Sequence, residues 1–107
     1  MGRGSRSKPA RLAEKLRYIR LTLGESQEGM VKLLDLPAEI PGRHYISGFE
    51  LGTREPTLPT LVRISELVNC WLDVLVRDDL DLPPPPWPCR LKSEGIKHKN
   101  TSTRKKR

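Results

Sequence analysis

Glycine and proline cut this chain into short lengths, with breaks at Gly24, between Pro37 and Gly42, at Gly52 with Pro56 and Pro59, and at the run that begins with Pro83. Between the breaks apolar residues recur every three or four positions, the spacing of one helix face, and nowhere do they alternate with period two between hairpin turns. A chain patterned in this way folds as several short helices around a small core. No strand is predicted.

The first predicted helix covers residues 9–23. Pro9 suits its first turn, Leu12, Leu16, Ile19 and Leu23 form its apolar stripe, and Gly24 supplies the stop. Ser26 is the N-cap of a second helix whose apolar face is Met30, Val31, Leu33 and Leu34, and which ends at Leu34 or Leu36. The segment from Leu36 to Gly42 reads as a loop with room for one helical turn, because Pro41 biases Ile40 away from helix. A third helix follows over residues 43–51, with Ile46 and Phe49 inward, Gly52 as its cap and the remaining positions small or polar. A fourth opens at Thr57-Leu58-Pro59 and runs through Leu61, Ile64, Leu67 and Val68 to near Asn69, and Leu72 to Val76 closes the core in one or two turns.

The prolines and the charge set the expected boundaries. Pro83 to Pro86 and Pro88 favour extended polyproline II, which has no internal hydrogen bonds, and residues 89–107 have few apolar side chains and strong like charge, the composition of disorder. The expected organisation is a flexible basic arm at 1–8, a compact all-helical domain at 9–82, a polyproline linker at 83–88 and a disordered basic tail at 89–107. Of the net charge of +7, residues 1–88 contribute nothing, since twelve Lys/Arg meet twelve Asp/Glu there; residues 89–107 hold eight Lys/Arg against Glu94 alone. The start of the chain is also basic, with Arg3, Arg6, Lys8, Arg11, Lys15, Arg17 and Arg20 facing only Glu14. A polyanion is the partner class this distribution attracts.

Other chemistries have little to stand on. Cys70 and Cys89 do not make a zinc site, which needs four ligands at short spacings, and His44 and His98 are distant from both. Cys70 is expected to pack as a small hydrophobe and Cys89 to be a free thiol. With no glycine-rich phosphate loop and no ligand cluster, neither cofactor, metal nor enzymatic activity is expected. No apolar stretch approaches the 18 residues of a membrane span, and no apolar run follows the basic N-terminus; a cytoplasmic, nucleoid-associated protein with reduced thiols is the expectation.

One string is more specific than any of these patterns. Ser26-Gln27 opens the second helix, and Ile46-Ser47 is followed by Glu50-x-Gly52-x-Arg54-Glu55-Pro56 and a leucine-spaced helix. Over residues 10–76 this resembles the lambda-repressor-like family of helix-turn-helix proteins, also called the Cro or XRE type. The resemblance implies a compact bundle of about five short helices that binds double-stranded DNA as a homodimer, with the segment over residues 43–51 as the recognition helix in the major groove. It implies base contacts from Arg43, His44, Ser47 and Gly48, phosphate contacts from Gln27, Tyr45 and Arg54, and a structural ion pair between Arg20 and Glu50. Of the base-contact set Arg43 is chemically the best suited, since a guanidinium can bond both O6 and N7 of guanine. Gln27 serves equally as part of a plain helix start, Tyr45 suits packing as well as contact, and Gly48 has no side chain with which to read a base.

Three positions depart from the family pattern. The spacing from Gln27 to Ile46 is about five residues longer than usual, which enlarges the turn around Pro37 to Pro41; Val31 replaces a small alanine; and Glu25 stands where an apolar residue is common. The function this implies is sequence-specific transcriptional regulation, with the basic ends adding affinity for phosphates, and the stretch from Leu72 to Leu80 is the apolar candidate for a dimer surface. The alternative is an antitoxin-like or other protein-binding module on the same fold, whose C-terminal tail folds on a protein partner.

Overall fold

The computed structural model describes residues 9–34 and 42–98. The predicted arm at 1–8, the enlarged turn at 35–41 and the end of the predicted tail, 99–107, lie outside the described residues. Among the described residues there are five helices, α1 Leu12–Leu23, α2 Gln27–Leu34, α3 Gly42–Leu51, α4 Leu58–Val68 and α5 Leu72–Val76, followed by two short strands, β1 Leu80–Asp81 and β2 Ile96–Lys97. Leu16, Ile19, Met30, Leu34, Ile46, Phe49, Leu61, Ile64, Val68, Val74 and Leu75 form one core to which every helix contributes.

Local chemistry sets most helix ends. Gly24, at φ 74°, turns the chain out of α1, its N–H and that of Glu25 satisfying carbonyls of the last turn. Ser26 Oγ accepts the Gly29 N–H at 3.0 Å and caps α2. Gly52, at φ 80°, ends α3, and Pro59 lies in the first turn of α4.

The start of α1 is set from a distance. The helix begins at Leu12, three residues later than predicted, because the Asp78 carboxylate accepts the N–H groups of Ala10 and Arg11, each at 3.0 Å. In return Lys15, a buried lysine of α1, donates its Nζ to the carbonyls of Val74 at 2.8 Å and Arg77 at 2.7 Å, at the end of α5. Burial pulls the Lys15 pKa below the usual lysine range, against the attraction of Asp78 and Asp81. The hydrogen bond from Ala10 is the main reason the Asp78 pKa lies below the usual carboxylate range. A depressed folded-state pKa contributes stability that is present above the unfolded value of about 4 and disappears as the pH falls through the folded value. Asp78→Asn is therefore expected to lower the urea midpoint at pH 7, with the gap to the unaltered protein closing as the pH falls below the unfolded value of about 4. A gap independent of pH would count against the charged cap.

Residues 83–98 correct the predicted linker and tail. Pro83 is buried, Trp87 Nε1 donates to the Pro83 carbonyl at 3.0 Å, and the Trp87 ring packs edge-on against Tyr18 at 5.9 Å between centroids. Beyond it the Cys89 N–H reaches the Val68 carbonyl, Asn69 Nδ2 reaches the Cys89 carbonyl, and Ser93 exchanges backbone bonds with Asn69 and Trp71. β2 then pairs antiparallel with β1, Leu80 opposite Lys97 and Asp81 opposite Ile96. The expectation of no strand fails here as well, because two-residue strands carry no alternation to read. Composition misjudges the segment because it is held by backbone bonds and one tryptophan rather than by an apolar stripe. The stretch from Leu72 to Leu80 is likewise not an open dimer surface: Val74 and Leu75 are fully buried, and Leu72, Val76 and Leu80 pack on the core.

Candidate nucleic-acid interface

Helix α3 has two unlike sides. Ile46 and Phe49 are buried in the core, while Arg43, His44, Ser47 and Leu51 fall within one arc of about 100° on the opposite side, at 100° per residue. Arg43 and His44 are exposed, Ser47 is half-buried, and Leu51 is 73% exposed. Among the described residues Arg43 and His44 make no hydrogen bond or ion pair, so both side chains present unused donors to solvent. In the sequence Leu51 reads only as a helix end, although its i+4 spacing from Ser47 places it on this arc.

An ion pair fixes the orientation of α3. Arg20 of α1 meets Glu50 through two parallel bonds, Nε to Oε2 at 2.6 Å and Nη2 to Oε1 at 3.1 Å, with the side chains 14% and 7% exposed. The third bond, Arg20 Nη1 to the Glu25 carbonyl at 3.1 Å, ties the same guanidinium to the turn before α2. Bonding to Glu50 raises the Arg20 pKa further above its ordinary value. A fork-to-fork pair of this geometry permits little rotation of α3 on α1.

The close approach of α2 to α3 resolves the fit of Val31. A Cβ on Gly42 would collide with Val31 Cγ1 and Cγ2, so the larger side chain on α2 is accommodated by the missing one at the start of α3. The structure places Gly48 away from the open arc: it is buried, and a Cβ there would lie 2.9 Å from Arg54 Cβ. Its carbonyl instead accepts the N–H groups of Thr53 and Arg54, folding the loop after α3 back on the helix. The expected base contact from Gly48 is accordingly replaced by a packing role. Arg54, brought round by that loop, lays its guanidinium 4.8 Å from the centre of the Tyr45 ring, and Tyr45 leans on Phe49 at 6.4 Å. Tyr45 is half-buried and supports an exposed cation at the end of α3.

Gln27 stands apart from this arrangement. It opens α2 half-buried, and the Glu25 carboxylate occupies the space beside Gly29 in the same turn, where a Cβ would meet Oε1. A carboxylate already on the first turn competes with a phosphate for those amides.

Both thiols are free, Cys70 fully buried and pushed up to about 11 by desolvation, Cys89 half-buried. Among the described residues no group of three His, Cys, Asp or Glu side chains is placed to hold a metal ion, and no helix is long and apolar enough to cross a membrane. No family model, curated protein or solved structure matches the chain.

Proposed function

We propose that this chain is a sequence-specific double-stranded-DNA-binding regulator of the lambda-repressor-like type, without enzymatic activity, that lays the open arc of α3 in the major groove. The observation that carries the reading is α3 itself: two faces of opposite character, locked on α1 by Arg20 and Glu50, with Arg43, His44 and Ser47 turned outward. Arg43 reads a guanine edge, His44 and Ser47 bond neighbouring edges or phosphates, and Leu51 supplies an apolar contact of the kind a thymine methyl takes. Arg54 and Tyr45 hold the flanking phosphate backbone. One short helix reads few base pairs, so two copies on half-sites about one helical turn apart supply the remaining specificity.

A binding titration against a random duplex library tests this directly. Arg43→Ala is expected to cost about 1–3 kcal/mol on the preferred sites and almost nothing on unrelated duplexes. Equal loss on all sequences would reduce Arg43 to a phosphate contact, and absence of any preferred site in the unaltered protein would remove the proposal.

A further inference from the structure

Cys70 and Cys89 are nineteen residues apart in sequence but belong to neighbouring stretches of backbone. The Cys89 N–H donates to the Val68 carbonyl at 2.9 Å, and Asn69 Nδ2 donates to the Cys89 carbonyl at 2.7 Å. Both backbone polar groups of Cys89 are therefore held by the two residues that precede Cys70. Further on, the Ser93 N–H donates to the Asn69 carbonyl at 3.0 Å and the Ser93 carbonyl accepts the Trp71 N–H at 2.9 Å, which frames Cys70 from both sides. Stretches joined by such bonds run about 5 Å apart. A disulfide spans Cα atoms about 4–7 Å apart.

The two thiols differ in access. Cys70 is fully buried in the core beside Val68, Val74 and Leu75, whereas Cys89 is half-buried. Desolvation is the main reason the Cys70 pKa lies up at about 11, and the charge of a Cys89 thiolate is the next, a coupling that fades with distance and so places the two sulfurs near each other. Lys92 and Lys15 act in the opposite sense. The sequence holds no third cysteine, so a bridge within one chain joins these two or none. Neither thiol takes part in the proposed DNA contact.

We infer that Cys70 and Cys89 form a redox modification site whose oxidant is a small-molecule disulfide. The Cys89 thiol gives its proton to solvent, and its thiolate attacks one sulfur of the reagent. The S–S bond of the reagent breaks, one thiolate leaves, and a mixed disulfide forms on Cys89. Cys70 then loses its proton and attacks Cys89 Sγ, which forms the bond within the chain and expels the second thiolate. The two released protons end on the two departing thiolates, so a pair of protein thiols is oxidised to one disulfide while one reagent disulfide is reduced to two thiols. Access sets the order: the reagent meets Cys89, and Cys70 needs only its neighbour. The product closes a loop that contains α5, β1 and Trp87, and it ties residues 83–98 covalently to the end of α4. It does not depend on the reading of α3.

The test treats the full chain with glutathione disulfide and follows it by intact mass, peptide mapping and thermal unfolding. The expected product has lost two hydrogens, carries no glutathione, and yields a cross-linked peptide pair containing Cys70 and Cys89. Closing a loop of this size should raise the thermal midpoint by about 10 °C, and dithiothreitol should restore the original value. Cys70→Ala is expected to stop at the mixed disulfide on Cys89, and Cys89→Ser to take up no glutathione while folded. A stable mixed disulfide on the unaltered chain, a bridge between two chains, or an unchanged midpoint in the bridged product would overturn the inference. Should Cys70→Ala fail to fold, the cross-link in the unaltered chain and the inertness of Cys89→Ser still decide it. A lack of any preferred duplex alters none of these outcomes, so the two readings fail separately.

Discussion

Glu50→Ala is expected to lower the stability of this domain by about 3–5 kcal/mol, out of the roughly 5–15 kcal/mol typical of a small protein. The carboxylate is 7% exposed at the edge of the core and takes two bonds from a guanidinium that is itself 14% exposed. Removing it leaves the largely buried Arg20 charge with only the Glu25 carbonyl as partner, and the cost comes from that uncompensated charge more than from the lost attraction. Replacing both partners together, Arg20→Met with Glu50→Leu, removes the charge as well as the bond. The double variant is accordingly expected to recover most of the loss in a urea titration. A single-variant loss under about 1 kcal/mol would assign the pair to the weak class of solvated surface bridges.

Truncation gives the second large effect, and it depends on where the chain is cut. Ending the chain after Leu82 removes Trp87 from Tyr18, the backbone bonds of Cys89 and Ser93 to Val68, Asn69 and Trp71, and the partner of β1. The expected cost is about 3 kcal/mol or more, summed over the contacts of a half-buried tryptophan and the carbonyls of Val68 and Asn69 that lose their donors. For a domain this size that is a fall in the thermal midpoint on the order of 15 °C. Ending it after His98 leaves all these interactions in place and is expected to leave the midpoint unchanged within a degree or two. Equal midpoints for the two truncations would show that residues 83–98 contribute nothing to the fold.

How much of the molecule is legible in its sequence depends on the range of the interactions. Helices α1 to α5 are readable because their stripes and their caps, Ser26, Gly24 and Gly52, act within one or two turns. Arg20 and Glu50 lie thirty residues apart, and neither spacing nor composition connects them; only the resemblance does. The Asp78 cap is illegible for a related reason. An aspartate that closes a helix 67 residues upstream looks, in sequence, like one more acid in an acidic cluster. Gly42 and Val31 show the converse case, in which a side chain that looks too large fits because its neighbour across the helix pair has none. Residues 83–98 mislead because proline and charge dominate their composition, while the groups that hold them are backbone amides and carbonyls present in every sequence.

The exchange between Lys15 and Asp78 constrains how the molecule can open. Helices ordinarily fray from their ends one turn at a time, but here the first turn of α1 and the last turn of α5 each depend on a side chain delivered by the other's neighbourhood. Neither can peel away without breaking the other's bonds, so the beginning and the end of the helical body come apart in one cooperative event.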